Sequence, residues 1–224
     1  LKNKTAILIF ANSAQKEVER KSFLSYDVLA ELNNQTIKTV QKAGIDYFHF
    51  SENNQVGANF AERFCNAIST VFNKGYKHII TIGNDSPQLK TKHLTASKKE
   101  LEAHKNVIGP SNDGGFYLLG IHQKDFNKEE FLGFLWQTSQ LQKSLISFFK
   151  KNQLSFTRLK SLNDLDSKHD LKLFLNCKKS ISKKLHTLFL TLTFISKGFC
   201  TKLQHTLIHR YNSFIFNKGS PNFI

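Results

Sequence analysis

Two hydrophobic rhythms divide this chain. Short unbroken apolar runs, Ala6-Ile7-Leu8-Ile9-Phe10 within Thr5 to Ala11 and His78-Ile79-Ile80-Thr81-Ile82, are too short for helices and read as strands buried on both faces. Asp46 to Phe50, Val107-Ile108 and Phe116 to Ile121 read as further strands. Between them the period lengthens. Val28, Leu29, Leu32, Thr36, Val40 and Ala43 form a helical stripe that Gly44 is placed to cap. Phe60, Phe64, Ile68 and Phe72 recur every four residues, a helix whose aromatic face belongs to a core, with Cys65 buried in it and Gly75 ending it. Strands alternating with helices of this length predict an α/β fold, built from right-handed βαβ units into a mostly parallel central sheet with helices on both faces.

Two turns carry the candidate chemistry. Gly83-Asn84-Asp85-Ser86-Pro87 breaks the strand ending at Ile82, and Gly109 to Gly120 contains Asn112-Asp113-Gly114-Gly115 between two apolar runs. Each sets a carboxylate at a strand end, where open α/β sheets bind ligands. Asp85 suits Mg²⁺ or Mn²⁺, hard cations that take oxygen ligands and bridge to phosphates; an Asx turn ahead of Pro87 is the structural alternative. Gly114 and Gly115 let a backbone approach a ligand closely, although Asp-Gly is also the commonest hairpin signal. A third group, Asn163-Asp164-Leu165-Asp166-Ser167-Lys168-His169-Asp170, brings three more carboxylates. Ser167 and Asp170 have the spacing of a capping box. Asp164 and Asp166 would face opposite ways on an extended segment, so one is expected to ligate an ion, and Asp166 is the choice. Ser139 with Gln142 forms a second capping box, opening a helix through Leu141, Leu145, Phe148 and Phe149. Its free amides beside Thr138 would suit an anionic group, and Trp136 reads either as a wall of an acceptor pocket or as a buried side chain beside an ordinary cap.

GNDSP, GPSNDGGFYLLG, LWQTS at 135 to 139 and LNDLDSKHDL at 162 to 171, in that order, resemble a bacterial family of uncharacterised glycosyltransferase-like proteins. That family is related to molybdenum-cofactor guanylyltransferases and phospholactate guanylyltransferases, and the resemblance runs from residue 5 to 175. It implies a GT-A, nucleotide-diphospho-sugar transferase-like fold, with Asp85 and Asp166 holding Mg²⁺ or Mn²⁺ and the Asp-Gly-Gly turn lining the substrate side. Asp113 would be catalytic, positioning or activating the acceptor. Gly83, Asn84, Gly114, Gly115, Trp136 and Thr138 would line the nucleotide and substrate site. Gly57, Glu62 and Arg63, in the lead into the aromatic helix, would lie near the same cleft, with Arg63 meeting either a phosphate or a carboxylate. The related guanylyltransferases carry a Gly-containing loop after the first strand, whereas Ala11 to Lys21 has no glycine. Asn12 and Lys16, with Arg20 and Lys21, are the phosphate candidates left there.

Charge separates the chain into two parts. Of 32 Lys and Arg residues against 17 Asp and Glu, net +15, eight basic residues and no acid fall in 178–224. Residues 1–177 are therefore expected to form the nucleotide-binding transferase domain and 178–224 a basic tail. Leu185 to Ile195 within it fits strand or helix and is too short to cross a bilayer; the tail's charge and aromatics suit an anionic partner, a membrane surface or nucleic acid. Three cysteines, Cys65, Cys177 and Cys200, without metal-ligand spacing, point to a reducing compartment, and the cytoplasm is the expected location. The expected function is a metal-dependent transferase that binds a nucleotide or nucleotide-sugar donor and passes a glycosyl or nucleotidyl group to a small-molecule acceptor of unknown identity. A nucleotide-binding scaffold without turnover, and a nucleic-acid-associated protein acting through the tail, are the alternatives.

Overall fold

The computed structural model describes residues 4–176 and 180–196. Cys177, Cys200 and the basic tail beyond residue 196 lie outside them. The elements run β1 (Thr5–Phe10), α1 (Ala14–Arg20), α2 (Tyr26–Ala43), β2 (Asp46–Phe50), α3 (Phe60–Asn73), β3 (His78–Ile82), α4 (Thr91–Glu102), β4 (Asn106–Pro110), β5 (Phe116–His122), α5 (Lys128–Leu132), α6 (Leu141–Lys151), β6 (Phe156–Arg158), α7 (Lys168–Asn176) and α8 (Lys183–Ser196). The six strands make one sheet in the order β2-β1-β3-β5-β4-β6. β1 pairs in parallel with β2 and β3, and β4 with β6, while β5 runs antiparallel to both β3 and β4. The sheet is thus mostly parallel, with one reversed strand made by the hairpin through Asp113.

Alternate residues of each central strand feed opposite cores. Ala6, Leu8, Ile79, Ile108, Leu119 and Ile121 pack beneath α3 and α6, with Phe64, Ile68, Phe72, Leu145 and Phe149. Ile7, Ile9, Ile80, Ile82, Val107 and Leu118 turn the other way, toward Val40 of α2 and Leu94 and Leu101 of α4. A sheet covered on both faces requires apolar runs without alternation, which is what β1 and β3 carry. Gly44 ends α2 at φ 63°, and its N–H is bonded to the Gln41 carbonyl, the left-handed cap expected there.

A third core lies at the edge, where Ala14, Leu24, Val28, Leu29 and Leu32 meet Leu165, Leu171 and Phe174, and also Leu185 and Phe189 of α8. The Leu185 to Ile195 stretch is helical, and Leu185 and Phe189 are fully buried. Among the described residues no helix is long and apolar enough to cross a membrane.

Candidate functional site

The cleft lies at the carboxyl ends of β1 and β3, and the chain between β1 and α1 forms one wall. Ser13 caps α1, its Oγ accepting from the Lys16 N–H, while the Glu52 carboxylate accepts from the Ser13 N–H at 2.7 Å and from its hydroxyl at 2.5 Å. Those two bonds hold the Glu52 carboxyl below its ordinary pKa. Side chains therefore fix a loop that has no glycine to form an anion-binding nest. Asn12 gives its side-chain amide to the buried Glu17 at 3.0 Å. Asn33 of α2 joins it to the second wall, donating to the Asn12 carbonyl and accepting from the buried Asn84. Asn12 and Asn84 consequently brace the floor of the cleft. Lys16 points out from α1 and pairs with exposed Glu19.

At the exit of β3, Asp85 meets Lys21 at 2.7 Å. The same ammonium reaches Asp166 at 2.8 Å and the Leu165 carbonyl at 2.9 Å. The chain at 162–166 is pinned here by its backbone: the Leu165 N–H donates to the Asp85 carbonyl and the Leu162 N–H to the Pro110 carbonyl, and the Asn112 N–H returns a bond to Leu162. All three acidic segments are thereby brought to one place. Asp113, Asp164 and Asp166 offer carboxylate oxygens within 4.8 Å of one another, and Asp164 accepts a short hydrogen bond from the Ser86 hydroxyl.

Asp164 and Asp166 thus sit on the same side, contrary to the alternation expected. Residues 163–167 form no strand, so a period of two does not apply; Leu162 and Leu165, three apart, are the anchored positions instead. That apolar spacing is the signal by which Asp164 could have been found. Burial pushes the Asp164 carboxyl up to about 7 against the pull of Ser86, and the charges of Asp85, Asp113 and Asp166 push in the same direction. Burial also raises Asp85, outweighing the nearby Lys21. For Lys21, burial opposes the charge, but Asp85 and Asp166 prevail and hold its pKa above the ordinary value. One ammonium pairs with two carboxylates, Asp85 and Asp166, while Asp113 and Asp164 stand beside Asp166 with no ion pair among the described residues. The excess of negative charge is what a hard divalent cation would neutralise, and three clustered carboxylates are suitable oxygen ligands for it.

Asp113 lies at the tip of the β4–β5 hairpin, as the Asp-Gly signal predicts, and its carboxylate stands beside those of Asp164 and Asp166. Its carboxylate accepts from the Gly115 N–H at 3.0 Å and closely from the Ser111 hydroxyl. Gly114, at φ 94°, is required by contact: a Cβ there would lie 2.2 Å from the Ser139 carbonyl oxygen. That approach alters the expected cap of α6. Gln140, not Ser139, is the N-cap, and no side chain caps the helix; the Gln142 N–H donates instead to the Gly114 carbonyl at 2.9 Å. The Thr138 hydroxyl turns back to the Leu135 carbonyl. Trp136 donates its indole N–H to the Phe131 carbonyl and packs among Phe60, Phe64, Phe116 and Phe134, which favours its reading as part of the aromatic core.

The remaining candidates are less engaged. Glu62 is committed to the start of α3, where it accepts from the Ala58 N–H and the Asn59 amide. Arg63 makes no ion pair among the described residues. A Cβ at Gly83 would meet only the Asp85 backbone nitrogen, at an ordinary 4.0 Å, so a side chain there would not clash. Ser167 and Asp170 form their expected cap, with the Ser167 Oγ accepting from the Asp170 N–H and the Asp170 carboxylate accepting from the Ser167 hydroxyl and the Asp166 N–H.

A family described as "Uncharacterized protein conserved in bacteria (DUF2064)" matches residues 29–138. No curated protein matches the sequence. Among solved structures, a "putative nucleotide-diphospho-sugar transferase" from Desulfovibrio desulfuricans G20 is similar at a TM-score of 0.72 and 20% identity, over 84% of this chain and 95% of that one. Rv0371c from Mycobacterium tuberculosis H37Rv aligns at 0.46 and 14% identity over 78% of this chain and 98% of its own. The 4-diphosphocytidyl-2C-methyl-D-erythritol synthase of Anaerococcus prevotii DSM 20548 aligns at 0.43 and 10% identity, over 79% of this chain and 98% of its own. The β2-β1-β3-β5-β4-β6 sheet, with its reversed β5 and carboxyl-end cleft, is the nucleotide-diphospho-sugar transferase fold.

Proposed function

We propose that the chain is a cytoplasmic, metal-dependent transferase that binds a nucleotide or nucleotide-sugar and passes a nucleotidyl or glycosyl group to a small-molecule acceptor. One observation carries the reading: carboxylates from three separate turns converge at the carboxyl end of the sheet, Asp113, Asp164 and Asp166 in one cluster and Asp85 joined to Asp166 through the Lys21 ammonium. Such a charge excess calls for a cation, and a cation there calls for phosphate. Asp85 and Asp166 are the ligands we assign to Mg²⁺ or Mn²⁺, with Asp164 alongside; the ion would offset the charge that develops on the leaving group. Asp113, held by Ser111 and Gly115, faces the acceptor and orients or deprotonates its attacking hydroxyl. Lys21 and Arg63 supply cationic partners for donor phosphates.

The loop pinned by Ser13 and Glu52, with no glycine nest, favours a second reading in which the protein binds nucleotide without turnover. A thermal-shift screen of nucleoside triphosphates and nucleotide-sugars, with and without Mg²⁺ or Mn²⁺, tests both. A ligand of the native state raises the melting temperature. A metal-dependent rise with one nucleotide family, followed by product formation with that donor, supports the transferase; a rise without turnover against a panel of acceptors supports the binding protein, and no rise with any nucleotide rejects both.

A further inference from the structure

The ammonium of Lys21 is saturated. Its side chain is 6% exposed, and its three donors go to Asp85 Oδ1, Asp166 Oδ1 and the Leu165 carbonyl oxygen, at 2.7, 2.8 and 2.9 Å. A lysine has three protons to give and accepts nothing, so this set leaves no donor over. It therefore occupies the ground between the two carboxylates that a bridging cation would take.

We propose that Lys21 is the resident counter-ion of the ligand-free site and competes with a divalent cation for Asp85 and Asp166. This rests on the reading above that the acidic cluster takes such an ion. Two cations cannot share one carboxylate pair without repelling each other, so entry of the ion requires the ammonium to swing away. Lys21 follows directly after α1, on a flexible four-carbon stem, and once displaced it is a free positive charge at the mouth of the cleft. Phosphate arriving with the ion gives that charge a new partner. Metal alone should then bind weakly, and metal with a phosphorylated donor tightly, because one event frees what the other needs.

The test uses the full chain and Mn²⁺ alone, with free Mn²⁺ read by electron paramagnetic resonance. Lys21→Met, checked as folded by circular dichroism, should bind Mn²⁺ at least tenfold more tightly than the wild type, while Lys21→Arg, which retains a competing cation, should stay near it. Equal or weaker binding by folded Lys21→Met overturns the proposal, as does the absence of Mn²⁺ binding in both proteins. A second measurement needs no variant: acylation of wild-type lysines, read by mass spectrometry, should show Lys21 protected and exposed Lys16 labelled. Saturating Mn²⁺ should raise Lys21 labelling several-fold, and no change rejects displacement. Failure of the competition with nucleotide shifts intact would leave the transferase reading standing; loss of every nucleotide shift would remove that reading itself.

Discussion

β3 has ionisable groups at both ends, buried at its start and half-buried at its exit, and only one end has the makings of a site. At its start, His78 is 3% exposed, shares a hydrogen bond with Thr5 Oγ1 at 3.2 Å, and meets the His122 ring edge-on at 4.6 Å. Burial lowers the His78 pKa to about 4, helped by the charges of His122 and His104, and lowers that of His122 as well. At the exit, burial raises Asp85 and Asp164. Both ends thus disfavour charge, but they differ in what remains. The histidines become neutral and leave nothing to satisfy except a ring nitrogen, His122 Nε2, without a partner among the described residues. The aspartates are too many to neutralise by one lysine, and two of them, Asp113 and Asp166, stay exposed. A shifted pKa marks burial at either end; surplus charge that solvent can reach marks the candidate site.

The sharpest way to break this contrast is to change one residue at each end. Asp85→Asn, which keeps shape but removes charge, should lower metal-dependent nucleotide affinity at least a hundredfold while the protein stays folded. His78→Gln should do the reverse, lowering the melting temperature and leaving ligand affinity within twofold. Titration calorimetry and thermal melts on both variants decide it. Equal affinity in Asp85→Asn and the wild type would remove Asp85 from the site.

Acid and base should then pull the two ends in opposite directions. A carboxyl raised from 3.8 to about 7 favours the folded state below pH 3.8 and loses that contribution as the pH climbs through 7. Asp164→Asn should therefore stabilise the metal-free protein above pH 7, by about 2 to 4 kcal/mol. A histidine lowered from 6.5 to about 4 contributes in the other sense: its stability is intact above pH 6.5 and lost as the pH falls through 4, by about 3 kcal/mol in all. Over pH 4.5 to 6.5 the two slopes oppose and should leave the wild type nearly flat in urea melts, whereas Asp164→Asn should weaken toward acid and His78→Gln should weaken toward alkali up to pH 7. Parallel curves for all three proteins would refute the assignment.

Much of this architecture can be read from the chain because its central strands are buried on both faces and its helices on one. β1, β2, β3 and β5 and the stripes of α2 and α3 fall where periodicity puts them, since burial and pattern share a cause. α4 was not foreseen: Leu94, Ser97 and Leu101 are its buried residues among many lysines, a thin stripe. The three-residue β6 is too short to show a period. In the candidate site, Asp85, Asp113 and Asp166 are legible as carboxylates in turns, whereas a period of two hides Asp164, because its segment is irregular and not a strand. Lys21 stands out in the sequence only as one of several phosphate candidates. Its bonds to Asp85 and Asp166 span 64 and 145 positions of sequence, and no local pattern encodes them.

The smallest expected effect tests whether the histidine end is as purely structural as the comparison holds. Thr5→Val preserves volume and β-branching but removes the hydroxyl facing His78 Nδ1. The lost bond leaves a buried ring nitrogen unsatisfied, which should cost about 1 kcal/mol at pH 7.5. The cost should appear as a lower urea midpoint at unchanged slope, since the surface exposed on unfolding is the same. Mn²⁺ binding should not change, because β1 lies between: Thr5 stands at its first residue, beside His78, and the cleft opens beyond its last. If Thr5→Val altered metal or nucleotide affinity, the two ends of the sheet would be coupled, and the buried histidines would belong to the working part of the molecule after all.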